Sequence, residues 1–146
     1  MFSKVTWASQ MKFVCENRGL TSEFDTTSAP TPKEGVLNAM GACSGMDVVT
    51  IAEKMRVEMT DLRIEATAEK SATLPSYFSK VHMKYFITGD QEPEKFIKVV
   101  VFSMTKYCGV SYMISKVCPI TYEVYLNDKL IYEDQAKFEL EIIENG

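Results

Sequence analysis

Between residues 33 and 56, apolar side chains recur at Val36, Ala39, Met40, Cys43, Met46, Val49, Ala52 and Met55. Steps of three and four follow the 3.6-residue period of a helix, so the stretch predicts one long amphipathic helix with Cys43 on its buried stripe. Its start is marked as well. The run Thr26-Thr27-Ser28-Ala29-Pro30-Thr31-Pro32 consists of turn formers, and Pro32 fits a first helical turn with Thr31 as N-cap. A helix of this length must lay its apolar stripe on a partner layer, and the flanking sequence supplies strands.

Before the helix, Val5, Trp7, Met11, Phe13 and Cys15 fall on one parity, the mark of two or three antiparallel strands. After it, residues 59–69 and 77–88 alternate again across a Leu74-Pro75-Ser76 break. Beyond Pro93, residues Phe96, Ile97, Val100, Val101 and Met104 recur at helical spacing, although β-branched Val99 to Val101 lower the local propensity. Gly109 interrupts, a short helical face follows (Val110, Met113, Ile114, Val117), and Pro119 stops it, so Cys108 falls at a helix-to-helix joint. Residues 120–126 and 136–143 read as closing strands around the turn Asn127-Asp128. The expected architecture is α+β, a curved, mainly antiparallel sheet packed on two principal helices. With 146 residues and no repeat or linker, one domain over 1–146 is expected.

Composition narrows the function classes. An apolar fraction of 46% with 25% charged residues is that of a folded globular chain. A formal charge of -4 without a basic cluster repels a phosphate backbone, so nucleic-acid binding is not expected. The N-terminal MFSKVTWASQ has no signal-peptide h-region, and no window reads as a bilayer span, which leads to the expectation of a cytoplasmic protein without membrane contact. Four cysteines without close pairing then read as free thiols or redox groups rather than a disulfide framework.

Two of these cysteines have the settings that thiol chemistry needs. Cys43 lies in Gly41-Ala42-Cys43-Ser44-Gly45, where each helical glycine costs about 1 kcal/mol relative to alanine. Glycines at that spacing admit a close neighbour: a substrate beside a reactive sulfur, or simply another element in a packing seam with an inert thiol. Cys108 precedes a short helix whose N-terminal amides, together with Lys106, are expected to lower its pKa; the alternative is a cysteine chosen for size. Cys15, mid-strand, and Cys118, before Pro119, read as structural. His82, the one histidine, falls on the polar face of its strand and reads as non-catalytic. CxxC, HExxH, GxGxxG and P-loop patterns are absent, as is a carboxylate cluster at ligand spacing, so neither a metal nor a nucleotide is expected. Glu34 and Asp47 can orient or deprotonate a partner, or serve as a helix-dipole complement and an internal pair.

Taken together, APTPKEGVLNAMGACSGMDVVTIAEKMR and KYCGVSYMISK resemble the two cysteine segments of the OsmC/Ohr family of hydroperoxide reductases, in the same order and at a similar separation. The resemblance lies closest to the OsmC-like branch. It implies an intertwined homodimer with a site bordered by both subunits. Cys43 would be the thiol that attacks the O–O bond of an organic or small hydroperoxide, and Cys108 the thiol that resolves the sulfenic acid. Regeneration would come from an external dithiol, which in better-known members is a lipoylated protein, with no resident cofactor. Ohr-type members hold the thiolate with an N-terminal arginine and a glutamate ten residues before the cysteine. Here Lys33 stands at that position and Glu34 follows it, as in the OsmC-like branch, and Arg18 lies in the matching part of the chain. Met40, Met46, Tyr112 and Met113 would suit an apolar substrate or the core. The alternative on the same fold is a non-enzymatic thiol redox sensor or hydrophobic ligand-binding module.

Overall fold

The computed structural model describes residues 1–144, and the chain divides into two compact units, residues 1–38 and 39–146. The first unit is a three-stranded antiparallel sheet in chain order: β1 (Lys4–Ser9), β2 (Lys12–Asn17) and β3 (Leu20–Phe24). Val5 pairs with Cys15 and Trp7 with Phe13, so the shared parity seen in the sequence is a shared face. β2 and β3 join through Arg18 and Gly19, both at positive φ (53° and 78°), the left-handed pair that a two-residue hairpin requires.

The long helix α1 (Pro32–Lys54) begins where the turn signals place it. Thr31 Oγ1 accepts from the Glu34 amide at 3.3 Å, and Glu34 Oε2 accepts from the Thr31 amide at 3.1 Å, a reciprocal capping box that satisfies two otherwise unpaired donors. Its fully buried residues are Met40, Ser44, Val48 and Ala52, a narrower stripe than expected. Cys43 is half-buried beside that stripe rather than on it, and Met46 and Val49 are exposed. The i, i+4 row turns inward because α1 rests on β4 through its small residues: a Cβ built on Gly45 would stand 3.3 Å from Ile64 Cδ1 and one on Gly41 3.9 Å from Ile64 Cγ2. The two glycines are thus the packing seam. Contrary to the sequence reading, α1 is long and apolar enough to cross a membrane by length and composition, with a mean hydropathy of 1.3 over its best window. Within this chain 22% of that window is buried, namely the inner row, and the rest of the helix is half-buried or exposed.

The second unit also holds a four-stranded sheet in the order β4 (Asp61–Lys70), β5 (Phe78–Thr88), β6 (Ile120–Leu126), β7 (Lys129–Gln135). β4–β5 and β6–β7 are antiparallel, whereas β5–β6 is parallel. A parallel pair needs a crossover, and α2 (Pro93–Phe102), a π-helical turn (Ser103–Tyr107) and α3 (Gly109–Ser115) provide it. Val81, Met83, Tyr85 and Ile87 from β5 and Ile120, Tyr122, Val124 and Leu126 from β6 are buried, as are Phe96, Val99, Val100 and Met104 of the crossover. The α+β class and the mainly antiparallel pairing stand, with the strands shared between two sheets.

The last expected strand is misplaced. Pairing resumes directly after Asn127 and Asp128 (φ 50° and 67°), with Leu126 opposite Lys129, so β7 is Lys129–Gln135 and residues 136–143 belong to no strand. A two-residue turn with both residues left-handed fixes the register at once, and this local geometry overrides the stronger apolar alternation downstream.

Candidate functional site

The crossover places Cys108. In the π-helical turn the Cys108 amide reaches back to the Ser103 carbonyl at 2.9 Å, and the wider turn delivers the residue to the N-cap of α3. Cys43 and Asp47, one helical turn apart, share a face of α1. Cys43 Sγ, Cys108 Sγ and an Asp47 carboxylate oxygen all lie within 4.8 Å of one another, so the structure brings together two residues singled out as catalytic and a third treated as ambiguous.

The two thiols differ. Cys108 is 1% exposed, whereas Cys43 is half-buried. Cys108 donates to Ser111 Oγ at 3.0 Å and accepts from the Ser111 amide at 3.4 Å. Burial nonetheless pushes its pKa up to about 11, outweighing both contacts with Ser111. The expected lowering is therefore overturned. Lys106, the cation expected to assist, instead pairs with Glu141 at 3.1 Å.

Asp47 is half-buried and accepts from Ser103 Oγ at 3.2 Å; burial raises its pKa and this bond opposes the rise. Behind it lies a set of hydroxyls that sequence reasoning passed over. Ser103 Oγ is 2.7 Å from Ser44 Oγ, which is 2.7 Å from Tyr85 Oη, all inside the core. Each hydroxyl has one proton, and a carboxylate only accepts. With Asp47 ionised, the direction is set: Tyr85 donates to Ser44, Ser44 to Ser103 and Ser103 to Asp47. Burial holds the Tyr85 phenol well above its usual range, which keeps it a donor. The signal available in the sequence was Ser44, a polar residue on the Met40–Val48 row.

Glu34 and Arg18 belong to the first unit. The Glu34 carboxylate serves the capping box, and Arg18 occupies the left-handed turn between β2 and β3. His82 lies on the outer face of β5, with Nε2 2.7 Å from Glu123 Oε2 and Nδ1 2.6 Å from Thr121 Oγ1. That contact, foremost among its causes, lowers the Glu123 pKa. Cys15 and Cys118 are buried. Met40 is core, while Met46 and Met113 are exposed. A groove of about 300 Å³, lined by Met46, Asp47, Ile51, Met55, Phe102 and Tyr107 among others, meets the site through Asp47, while neither cysteine lines it.

Set against known proteins, residues 25–123 match the profile of the family described as OsmC-like protein. The chain belongs to the OsmC-like family. Protein YhfA of Escherichia coli K12 is 33% identical over 131 residues, which cover 85% of this chain and 98% of YhfA. The crystal structure of a hypothetical protein from Aquifex aeolicus VF5 superposes with a TM-score of 0.77 at 25% identity, covering 86% of this chain and 96% of that one. An organic hydroperoxide resistance protein OsmC from Legionella pneumophila, also described as a predicted redox protein, superposes with a TM-score of 0.66 at 18% identity over 85% of this chain and 95% of its own, which shows the shared fold. The resemblance carried by the two cysteine segments is thereby borne out.

Proposed function

We propose that the protein reduces organic or small hydroperoxides by a two-cysteine mechanism. The observation that carries the reading is the asymmetric pair at one site: a half-buried Cys43 and a buried Cys108 whose sulfurs lie, with an Asp47 oxygen, within 4.8 Å of one another. The thiolate of Cys43 attacks the terminal oxygen of ROOH. The O–O bond breaks, a proton goes to the leaving alkoxide, and Cys43–SOH and ROH result. Cys108 then attacks that sulfur, a disulfide forms and water leaves, which diverts the sulfenic acid from irreversible oxidation. An external dithiol of the lipoyl type returns both thiols and leaves oxidised. Two protons and two electrons enter per peroxide, and no resident cofactor is required.

Accessibility supports this division of roles, because the attacking sulfur must meet substrate whereas the resolving one need only meet Cys43. The groove supports an apolar R group, through Met46, Ile51, Met55 and Phe102. The same reading has the protein acting in the cytoplasm as a homodimer. Glu34 and Arg18 enter it through family resemblance, as groups that hold the thiolate.

The test is consumption of cumene hydroperoxide and hydrogen peroxide with dihydrolipoamide or dithiothreitol. Turnover is expected in the wild type, abolished in Cys43→Ser and impaired in Cys108→Ser. Glu34→Gln and Arg18→Ala should slow the attack step. No turnover by the fully reduced protein with either peroxide would end the enzyme reading. One equivalent of peroxide consumed per chain and no more would mark a redox sensor instead.

A further inference from the structure

We infer that Cys43, Cys108 and Asp47 form a binding site for a thiophilic divalent cation, zinc in the first place, that takes the thiols out of redox chemistry while it is bound. The inference shares its thiols with the peroxide reading and does not depend on turnover. Two sulfurs and one carboxylate oxygen within 4.8 Å of each other make a donor set of the borderline-soft kind that zinc selects. Zinc–sulfur bonds near 2.3 Å and zinc–oxygen bonds near 2.0 Å place tetrahedral donors roughly 3.5 to 3.8 Å apart, so closing on an ion takes shifts of about 1 Å. Two of the three ligands stand one turn apart on a single helix, which limits the ordering cost. The fourth position is left for water.

The groups behind the ligands are those a metal site needs. Ser103 donates to Asp47 Oδ2 at 3.2 Å and is itself held by the Ser44–Tyr85 hydroxyls, which fixes the carboxylate. The Ser111 amide donates to Cys108 Sγ at 3.4 Å, a contact that persists when the sulfur is a thiolate. Ser111 Oγ, 3.0 Å from the same sulfur, can then turn its own proton toward it. Asp47 also lines the groove, so its carboxylate can be met by a small cation from that side. On binding, M²⁺ joins two thiolates and one carboxylate, two thiol protons go to solvent, and nothing is oxidised or reduced. The resident charge becomes −1.

The experiment is an anaerobic titration of the full chain with Co²⁺, the protein kept reduced by a phosphine, followed by displacement with Zn²⁺. One equivalent of cobalt per chain is expected, with an intense sulfur-to-cobalt charge-transfer band that zinc abolishes. Cys43→Ser and Cys108→Ser should each weaken that band and binding sharply. Asp47→Asn should lower affinity about 100-fold, and Ser103→Ala roughly tenfold with the band retained, since it only orients a ligand. Far-UV circular dichroism checks that each variant is folded. Should Asp47→Asn not fold, the Ser103→Ala shift and zinc protection of both wild-type thiols from alkylation decide. A folded, reduced wild type without a charge-transfer band, or cobalt affinity unmoved by either cysteine substitution, overturns the site. Peroxide turnover is measured separately on metal-free protein. Cobalt binding without turnover ends the peroxidase reading and keeps the metal site; turnover without cobalt binding does the reverse.

Discussion

At the scale of single residues, the site turns on how burial weighs against local charge at Cys108. Its pKa of about 11 leaves little thiolate near neutrality, so the sulfur should react slowly with alkylating agents even when Cys43 is removed. In Cys43→Ser, labelling of Cys108 by iodoacetamide, followed by mass spectrometry, should speed up roughly tenfold per pH unit from about pH 8 towards the pKa. A rate that levels off near pH 8 would show a thiol with no burial penalty. Both cysteines were legible in the sequence because glycines and a helix joint mark them. The state of Cys108 was not, because proximity of Lys106 along the chain says nothing of where its ammonium goes, and it goes to Glu141. Asp47 carried a visible clue in its i+4 spacing from Cys43. The partner that holds it, Ser103, lies 56 residues away and was invisible to any local pattern.

At the scale of elements, α1 and its two glycines carry the clearest forecast. A Cβ at Gly41 would meet Ile64 at an ordinary 3.9 Å, whereas at Gly45 it would crowd Ile64 Cδ1 at 3.3 Å. Gly41→Ala should therefore recover about 1 kcal/mol of helix propensity. Gly45→Ala should recover less or turn destabilising as Ile64 yields. Urea unfolding of the two variants checks the order. An equal gain at both positions would mean that α1 does not rest on β4 through Gly45. Helix starts were legible from Pro32 and Pro93, and β4 and β5 from alternation, because these cues act within a few residues. The π-helical turn had no such cue, since Ser103–Tyr107 follows the apolar rhythm of the helix before it. The strand placed at 136–143 failed for the opposite reason: alternation gives a segment two faces, but a strand also needs a neighbour whose amides are still free.

At the scale of the whole molecule, the first unit leaves large apolar side chains in water: Val5, Trp7, Met11 and Leu20 are each more than half exposed. Exposed apolar side chains of this kind are candidates for an interface, and the homodimer proposed from family resemblance would have them available to cover. Trp7 is the only tryptophan, so its fluorescence reports this surface alone. In a homodimer that buries the sheet, Trp7 emission should be blue-shifted at micromolar protein and move to the red on dilution, in step with a halving of mass by light scattering. A red-shifted emission at every concentration, with monomer mass throughout, would remove the dimer from the proposed function. Family membership was legible from two short segments, whereas assembly was not, since one chain's exposed faces do not name their cover.

The hydroxyl chain from Tyr85 through Ser44 and Ser103 to Asp47 also bears on how this protein can change over generations. Because each member uses its single proton on the next, replacing one strands a buried neighbour, at a cost of about 1–3 kcal/mol. Replacing adjacent members together by apolar groups of similar shape spares much of that cost. Drift at Ser44 and Ser103 should therefore run in concert, with single-step intermediates less fit than either end point.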